Sequence, residues 1–192
     1  QLYANFGIDT IIGGKSVTHE RAGANEFIWE GPDGTKMYAS KLGVQGRANF
    51  LKYTTIPVIF GHENKSDNWD WKYKYDDLGM LFHRADGQKY WEDYHRVFRQ
   101  KSFDESRIKD AVIASWGTTE GTLLPEHRML FDGGDFTYPQ PMLCDIIDKA
   151  NEIFDDRVLV HEPLDGYVNA MKECLDQSKL KVVLGEMRDP PE

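Results

Sequence analysis

Apolar positions along this chain change period near its midpoint. Ile8 to Ile12 is a short β-branched run closed by Gly13-Gly14, and it reads as a buried strand. Glu26-Phe27-Ile28-Trp29-Glu30 and Lys36-Met37-Tyr38-Ala39-Ser40 flank Gly31-Pro32-Asp33-Gly34. This predicts strand, turn, strand, because Pro and Gly punctuate and Asp-Gly tolerates positive φ. Residues 43–88 are irregular and rich in Asn, Asp, Gly, Lys and aromatics; a stretch of that length inside a compact domain is usually functional or partly helical. From Gln88 the spacing turns helical. Tyr90, Trp91, Tyr94, Val97 and Phe98 predict an amphipathic helix over 88–101. Asp104 is the expected N-cap of a second helix to about Trp116, with Ile108, Ala111, Val112 and Ser115 on one face. Arg128 to Phe131 reads as a strand ending in Asp-Gly-Gly-Asp. Pro139-Gln140-Pro141 opens a helix carrying Met142, Cys144, Ile146, Ile147, Ala150 and Ile153. Val158 to Val160 reads as a strand, Leu164 to Leu175 as a helix started by Pro163, and Leu180 to Leu184 as a last strand ended by Gly185.

From residue 104 onward helix and strand alternate, which predicts an α/β fold with a parallel sheet covered by helices. The chain divides by pattern into strands, hairpin and aromatic loop over 1–87 and helix–strand alternation over 88–192. Its 192 residues suffice for one ordinary domain, but a complete large barrel enzyme needs about 250. It opens on Gln1-Leu2-Tyr3 as if in mid-domain and stops just after a strand-like run, so both ends are expected to continue in a longer protein.

Composition narrows the function classes. The net charge is −9, and no basic stripe is present, which argues against nucleic acid as a partner. No apolar run approaches the roughly 18 residues of a membrane span. Cys144 and Cys174 fall on positions that read as buried helix faces, and packed free thiols are favoured over a disulfide.

Asp135 is the strongest single candidate for chemistry. It follows a short strand and two glycines, and in parallel α/β architectures sites form outside the carboxyl ends of strands. The glycines allow a tight turn and close approach of a ligand. Apolar neighbours such as Phe136 and Tyr138 would raise its pKa, as a general acid at neutral pH requires. The competing reading is a carboxyl that merely caps the following turn. A second feature is Trp69, Trp71, Tyr73 and Tyr75, alternating near Asp67, Asp70, Asp76 and Asp77. Aromatic faces beside carboxylates suit sugar rings; a strand with one packed aromatic face fits the same residues. The six histidines form no HxH or HxxxH pair and there is no CxxC, so no metal site is expected from this chain. His161, beside Glu162, reads as a hydrogen-bonded loop histidine. No phosphate-binding glycine loop and no GxSxG nucleophile elbow is present.

Several segments, in order, resemble the catalytic domain of family 38 α-mannosidases. They are Phe6-Gly7-Ile8-Asp9-Thr10, then Glu26-Phe27-Ile28-Trp29-Glu30-Gly31-Pro32-Asp33-Gly34-Thr35, then Leu130-Phe131-Asp132-Gly133-Gly134-Asp135-Phe136. Arg157-Val158-Leu159-Val160-His161 through Tyr167 resembles a later strand–helix unit, and Leu184-Gly185-Glu186-Met187-Arg188 a closing Gly-Glu-(Leu/Met)-Arg segment. The resemblance spans essentially the whole chain and rests on the ordered set. It implies part of a distorted seven-stranded parallel β/α barrel, incomplete at both ends, and retaining hydrolysis of terminal α-mannosidic linkages. By position Asp135 matches the family's acid/base, although position 134 is Gly where several relatives have Asp. Lys15, Trp29 and Tyr138 lie near matched segments and are the implied substrate contacts. The family is zinc-dependent, but its zinc ligands and its nucleophile belong to segments this chain does not contain. The resemblance therefore implies an acid/base half-site, inactive by itself, whose partner is a mannose-containing oligosaccharide. Low cysteine density points to a cytoplasmic enzyme. Two alternatives stand beside this one: a non-catalytic carbohydrate-binding module built on Trp69 and Trp71, or another hydrolase or deacetylase on a related barrel.

Overall fold

The computed structural model describes residues 2–13, 17–43, 46–60, 103–133, 140 and 142–189. The architecture is mixed α/β, with a four-stranded sheet and helices. The strands are β1 (Thr10–Gly13), β2 (Glu26–Glu30), β3 (Lys36–Lys41) and β4 (Val182–Leu184). Their order is β1-β3-β2-β4; β1 runs parallel to β3, β2 antiparallel to β3, and β4 parallel to β2. The helices are α1 (His19–Ala22), α2 (Ile56–Phe60), α3 (Ile108–Gly117), α4 (Leu143–Ile153) and α5 (Leu164–Cys174). A π-helical turn, Leu51–Thr55, leads into α2. The described residues contain no helix long and apolar enough to cross a membrane.

The chain forms two compact units. The first comprises residues 1–47, 116–130 and 162–192, and the second 48–115 and 131–161. In the first unit the β2–β3 hairpin forms as its turn chemistry predicts. Gly34 adopts φ +81°, Asp33 Oδ1 accepts from Thr35 N at 3.0 Å, and Gly31 N donates to Thr35 O at 2.9 Å. That turn fixes Phe27 opposite Ala39 and Glu26 opposite Ser40. Because strand side chains alternate, the pairing sorts the residues onto two faces. Phe27 and Ala39 join Val17, Ala22 and Val183 in one cluster, with Ile11, Trp29 and Met187 packed against it. On the other face Tyr38 packs against Leu124, Met171 and Leu175, together with Leu123, Tyr167 and Leu180. Gly43 permits a close backbone approach: a Cβ there would run into the Thr118 carbonyl oxygen.

In the second unit the expected helix from Asp104 forms. Asp104 accepts from Ser106 N at 3.1 Å, a 3₁₀ turn follows, and α3 buries Ile108, Ala111, Val112 and Ser115, the face its spacing predicts. Consecutive threonines of the π turn are both buried. Thr54 Oγ1 lies 3.1 Å from the Ala111 carbonyl and 2.7 Å from Ser115 Oγ, and so meets α3. Thr55 serves a different neighbour, described below.

Several expectations need correction. Ile8 and Asp9 precede β1, Ile8 is exposed, and β1 is half-buried. Residues 128–131 and 158–160 are not strands, and of the later predicted strands only 182–184 enters the sheet. In each run an asparagine side chain takes one backbone amide, Asn49 that of Phe131 and Asn151 that of Leu159. Asn151 accepts from Leu159 N at 2.7 Å and donates to Leu159 O at 2.9 Å, which leaves Val158 and Val160 exposed. Cys144 and Cys174 are exposed free thiols, because α4 and α5 bury other faces, centred on Ile146 and Ala150 and on Met171. The helix expected over 88–101 lies outside the described residues.

Phe27 is 2% exposed and central to its cluster. Phe27→Ala is expected to destabilise the protein by about 3–5 kcal/mol, since truncation leaves a cavity that the paired strands cannot close. A urea-unfolding midpoint unchanged by the substitution would show that this cluster is not the core of the first unit.

Candidate functional site

Among the described residues two carboxyls stand out as withdrawn from water, one in each unit, and they are provided for very differently. Glu26 begins β2 on the face covered by α5, and it is 1% exposed. Its Oε1 accepts from Thr122 Oγ1 at 2.8 Å and from the Tyr167 hydroxyl at 3.0 Å; its Oε2 accepts from Leu123 N at 2.6 Å. Three donors satisfy both oxygens, which is what a buried carboxylate requires. Tyr167 also lies 3.4 Å from Ser40 Oγ, across the β2–β3 pair. Burial, reinforced by the charge of Glu26, pushes the Tyr167 phenol well above its usual range, so it stays a hydrogen-bond donor. This constellation ties the loop at 122–123 and α5 to the sheet; both carboxylate oxygens are already used.

Asp132 belongs to the second unit. The segment leading to it is pinned against the helical stretch that begins at residue 49. Asn49 Oδ1 accepts from Phe131 N at 2.7 Å, and the Phe131 carbonyl accepts from Phe50 N at 2.9 Å and Leu51 N at 3.2 Å. Phe131 thus satisfies first-turn amides that a helix otherwise leaves open. One residue on, Thr55 Oγ1 donates to Asp132 Oδ1 at 2.6 Å. The other oxygen, Oδ2, is buried and has no hydrogen-bond partner among the described residues. Burial raises the Asp132 carboxyl from 3.8 to about 6; the Thr55 hydrogen bond and the charge of His161 oppose the rise without cancelling it. A carboxyl in that range exchanges its proton near neutrality, as acid–base chemistry requires.

Of the residues expected to form a site, Asp135, Lys15 and Tyr138 lie outside the described residues, as do Trp69, Trp71, Tyr73 and Tyr75. Trp29 stands in β2, and its indole N–H donates to the Gly185 carbonyl at 2.6 Å. Its polar atom is therefore engaged by backbone, and its ring packs on the Phe27 cluster. His161 is exposed and acts on Asp132 through charge. Among the described residues no three His, Cys, Asp or Glu side chains converge to hold a metal ion.

Sequence reasoning missed Glu26 and Asp132. The signal for Glu26 was available, since a charged residue opening a strand on the face of Ile28 and Tyr38 must either be solvated or find donors. Asp132 was overshadowed by Asp135 in the same Asp-Gly-Gly-Asp run, and nothing local in sequence identifies Thr55 as its partner.

Glu26→Gln keeps the volume but replaces one acceptor oxygen by an N–H₂ group facing donors. A loss of about 1–3 kcal/mol is expected from the buried groups left unpaired. Tyr167→Phe should cost less, because two donors to Glu26 remain. Equal unfolding midpoints for wild type and Glu26→Gln would refute the tie. For Asp132 the sign runs the other way. Between about pH 4 and pH 6 the native state holds a proton that the unfolded chain has released, so stability falls as pH rises through that window. The full penalty, reached above about pH 6, is about 3 kcal/mol. Asp132→Asn removes this slope, so its stability relative to wild type should grow from pH 4 to pH 6 in urea titrations and then level off.

No family model, no curated protein and no solved structure matches this chain.

Proposed function

We propose that this chain is part of the catalytic domain of a retaining α-mannosidase of glycoside hydrolase family 38 type, with Asp135 as its general acid/base. One observation supports the reading: three of the segments that resemble that family, at 6–10, 26–35 and 184–188, though far apart in sequence, assemble around one sheet. Asp9 O accepts from Tyr38 N at 2.8 Å, joining the first segment to the hairpin. Trp29 of the hairpin donates to Gly185 of the closing segment at 2.6 Å. The closing stretch is held further by Asp189, which takes Arg21 Nη1 at 2.9 Å and Thr18 N at 2.8 Å. The raised pKa of Asp132 adds that the Asp-Gly-Gly-Asp segment begins in surroundings that favour the protonated carboxyl.

In the finer reading the four strands belong to a seven-stranded β/α barrel. β1 and β4 are the outer strands of the sheet and offer the edges on which such a barrel would continue. Asp135 would protonate the departing glycosidic oxygen, then take a proton from the water that releases the sugar. Retention needs a second carboxyl about 5–5.5 Å away as nucleophile, which this reading places in another segment of the enzyme. Zinc would supply Lewis-acid clamping of substrate oxygens. The described residues form no ligand set for it. The substrate would be a mannose-containing oligosaccharide. Lys15 and Tyr138 remain proposed contacts, and Trp29 could offer only its ring, because its N–H is engaged. Two exposed, unpaired thiols fit a reducing, cytoplasmic setting.

The test uses aryl α-mannosides and the full-length protein. Asp135→Asn should lower kcat/KM by about 10²–10⁴ for a poor leaving group. It should act much less on an activated dinitrophenyl leaving group, which needs no proton, and azide should restore turnover by attacking the glycosyl-enzyme directly. Near-normal turnover of the variant on the poor leaving group would remove Asp135 from this role. A wild-type protein inert towards every α-mannoside would remove the activity.

A further inference from the structure

We propose that Asp132 is a pH-sensitive anchor, holding the segment at 131–133 on the π turn when protonated and loosening it when ionised. The inference is independent of the chemistry proposed for Asp135.

The geometry has three parts. First, the π turn is where this helix departs from regular winding: Leu51–Thr55 is π-helical, and α-helix resumes at Ile56. π turns of this kind recur at functional positions because the extra residue re-aims neighbouring side chains. Here consecutive threonines are both fully buried and serve different partners, Thr54 the α3 helix and Thr55 the Asp132 carboxyl. Second, among the described residues the segment pairs with no strand, and it is held on the helix by the Asn49 and Phe131 hydrogen bonds and by the Thr55–Asp132 bond. Third, that last bond supplies one donor to one oxygen and leaves Oδ2 buried without a partner among the described residues.

A neutral carboxyl tolerates such a place far better than an ionised one, because a buried charge needs several donors or a counter-charge. The groups that face it are the Thr55 hydroxyl from the π turn and, from the stretch following α4, His161, which acts through charge alone. When the carboxyl ionises, the cheapest relief is local: the segment lifts and Oδ2 meets water. Gly133 follows immediately and adds little resistance to that movement. Ionisation would then change the geometry at Gly133 without unfolding the unit.

The sign fixes the pH window. Opening should increase between the ordinary carboxyl value of 3.8 and the raised value of about 6, and be flat above it. Over that interval the linkage amounts to a change in the opening equilibrium on the order of a hundredfold.

Amide hydrogen exchange on the whole chain reads this directly. Protection of Phe50, Leu51 and Phe131, corrected for intrinsic exchange rates, should fall on the order of a hundredfold from about pH 4 to about pH 6 and then level off. Amides within α4, such as Ala150, serve as the internal reference and should not follow. Asp132→Asn should keep the three amides protected across the range, since an amide oxygen still accepts from Thr55 and cannot ionise. Thr55→Val should leave them poorly protected even at the acid end. His161→Gln should retain the pH dependence, because the Asp132 carboxyl that carries it remains. Three results would each overturn the proposal: protection that does not change with pH relative to α4, a dependence that survives in Asp132→Asn, or one that vanishes in His161→Gln. The wild-type titration decides the first of these even if a variant fails to fold.

Discussion

Glu26 is the constraint on which the first unit depends. A carboxylate at a fully buried strand position is tolerable only if donors reach it, and its three donors come from positions 96, 97 and 141 residues further along the chain. The requirement therefore fixes more than one side chain. It places the Thr122–Leu123 backbone at the start of β2 and orients α5 so that Tyr167 points its hydroxyl at the sheet. Apolar packing of Met171, Leu124 and Leu175 gives that face its driving force, but such packing accepts many arrangements. The hydrogen bonds to Glu26 select one, because any other leaves a charge unpaired.

Asp132 shows the opposite solution to the same problem. Among the described residues Glu26 has three donors for two oxygens, whereas Asp132 has one donor and an oxygen with none. The balance is decided by magnitude: a single hydrogen bond to a charged group offsets about 1.5–3 kcal/mol, less than the several kcal/mol of desolvating an ion. The carboxyl accordingly retains its proton to about pH 6. One buried acid in this protein is structural because it is satisfied, and the other is responsive because it is not.

Much of the local structure was legible in the sequence, and the failures have a common cause. The hairpin could be read because its turn specifies its own geometry through Gly34 and Asp33. The buried face of α3 could be read because helical period and capping are both local, down to Asp104. The runs at 128–131 and 158–160 were misread because a strand is defined by its neighbour, which lies elsewhere in the chain. In each run an asparagine side chain accepts from one amide, Phe131 N or Leu159 N, where a strand neighbour would otherwise stand. Asn151 presents one donor and one acceptor to Leu159, as a neighbouring peptide group would, and Asn49 accepts from Phe131. Val158 and Val160 are exposed for the same reason: among the described residues no strand takes them up. For the candidate site, the Asp-Gly-Gly-Asp run was legible as a carboxyl-bearing turn, but the role of its first aspartate depends on Thr55, 77 positions earlier.

That dependence explains why two adjacent threonines matter more than their composition suggests. In a regular α-helix consecutive residues point about 100° apart, so a polar side chain at each of two neighbouring positions normally leaves one of them facing water. The π turn changes the local winding, and Thr54 and Thr55 are both buried. Thr54 is satisfied by α3 with hydroxyl and carbonyl partners, a bond set without an ionisable group and so insensitive to pH. Thr55 donates to a carboxyl that titrates near neutrality. The same turn therefore carries one fixed attachment and one conditional attachment, side by side. Releasing the second need not disturb the first, so a small local opening can occur while α3 and the helix it meets remain docked.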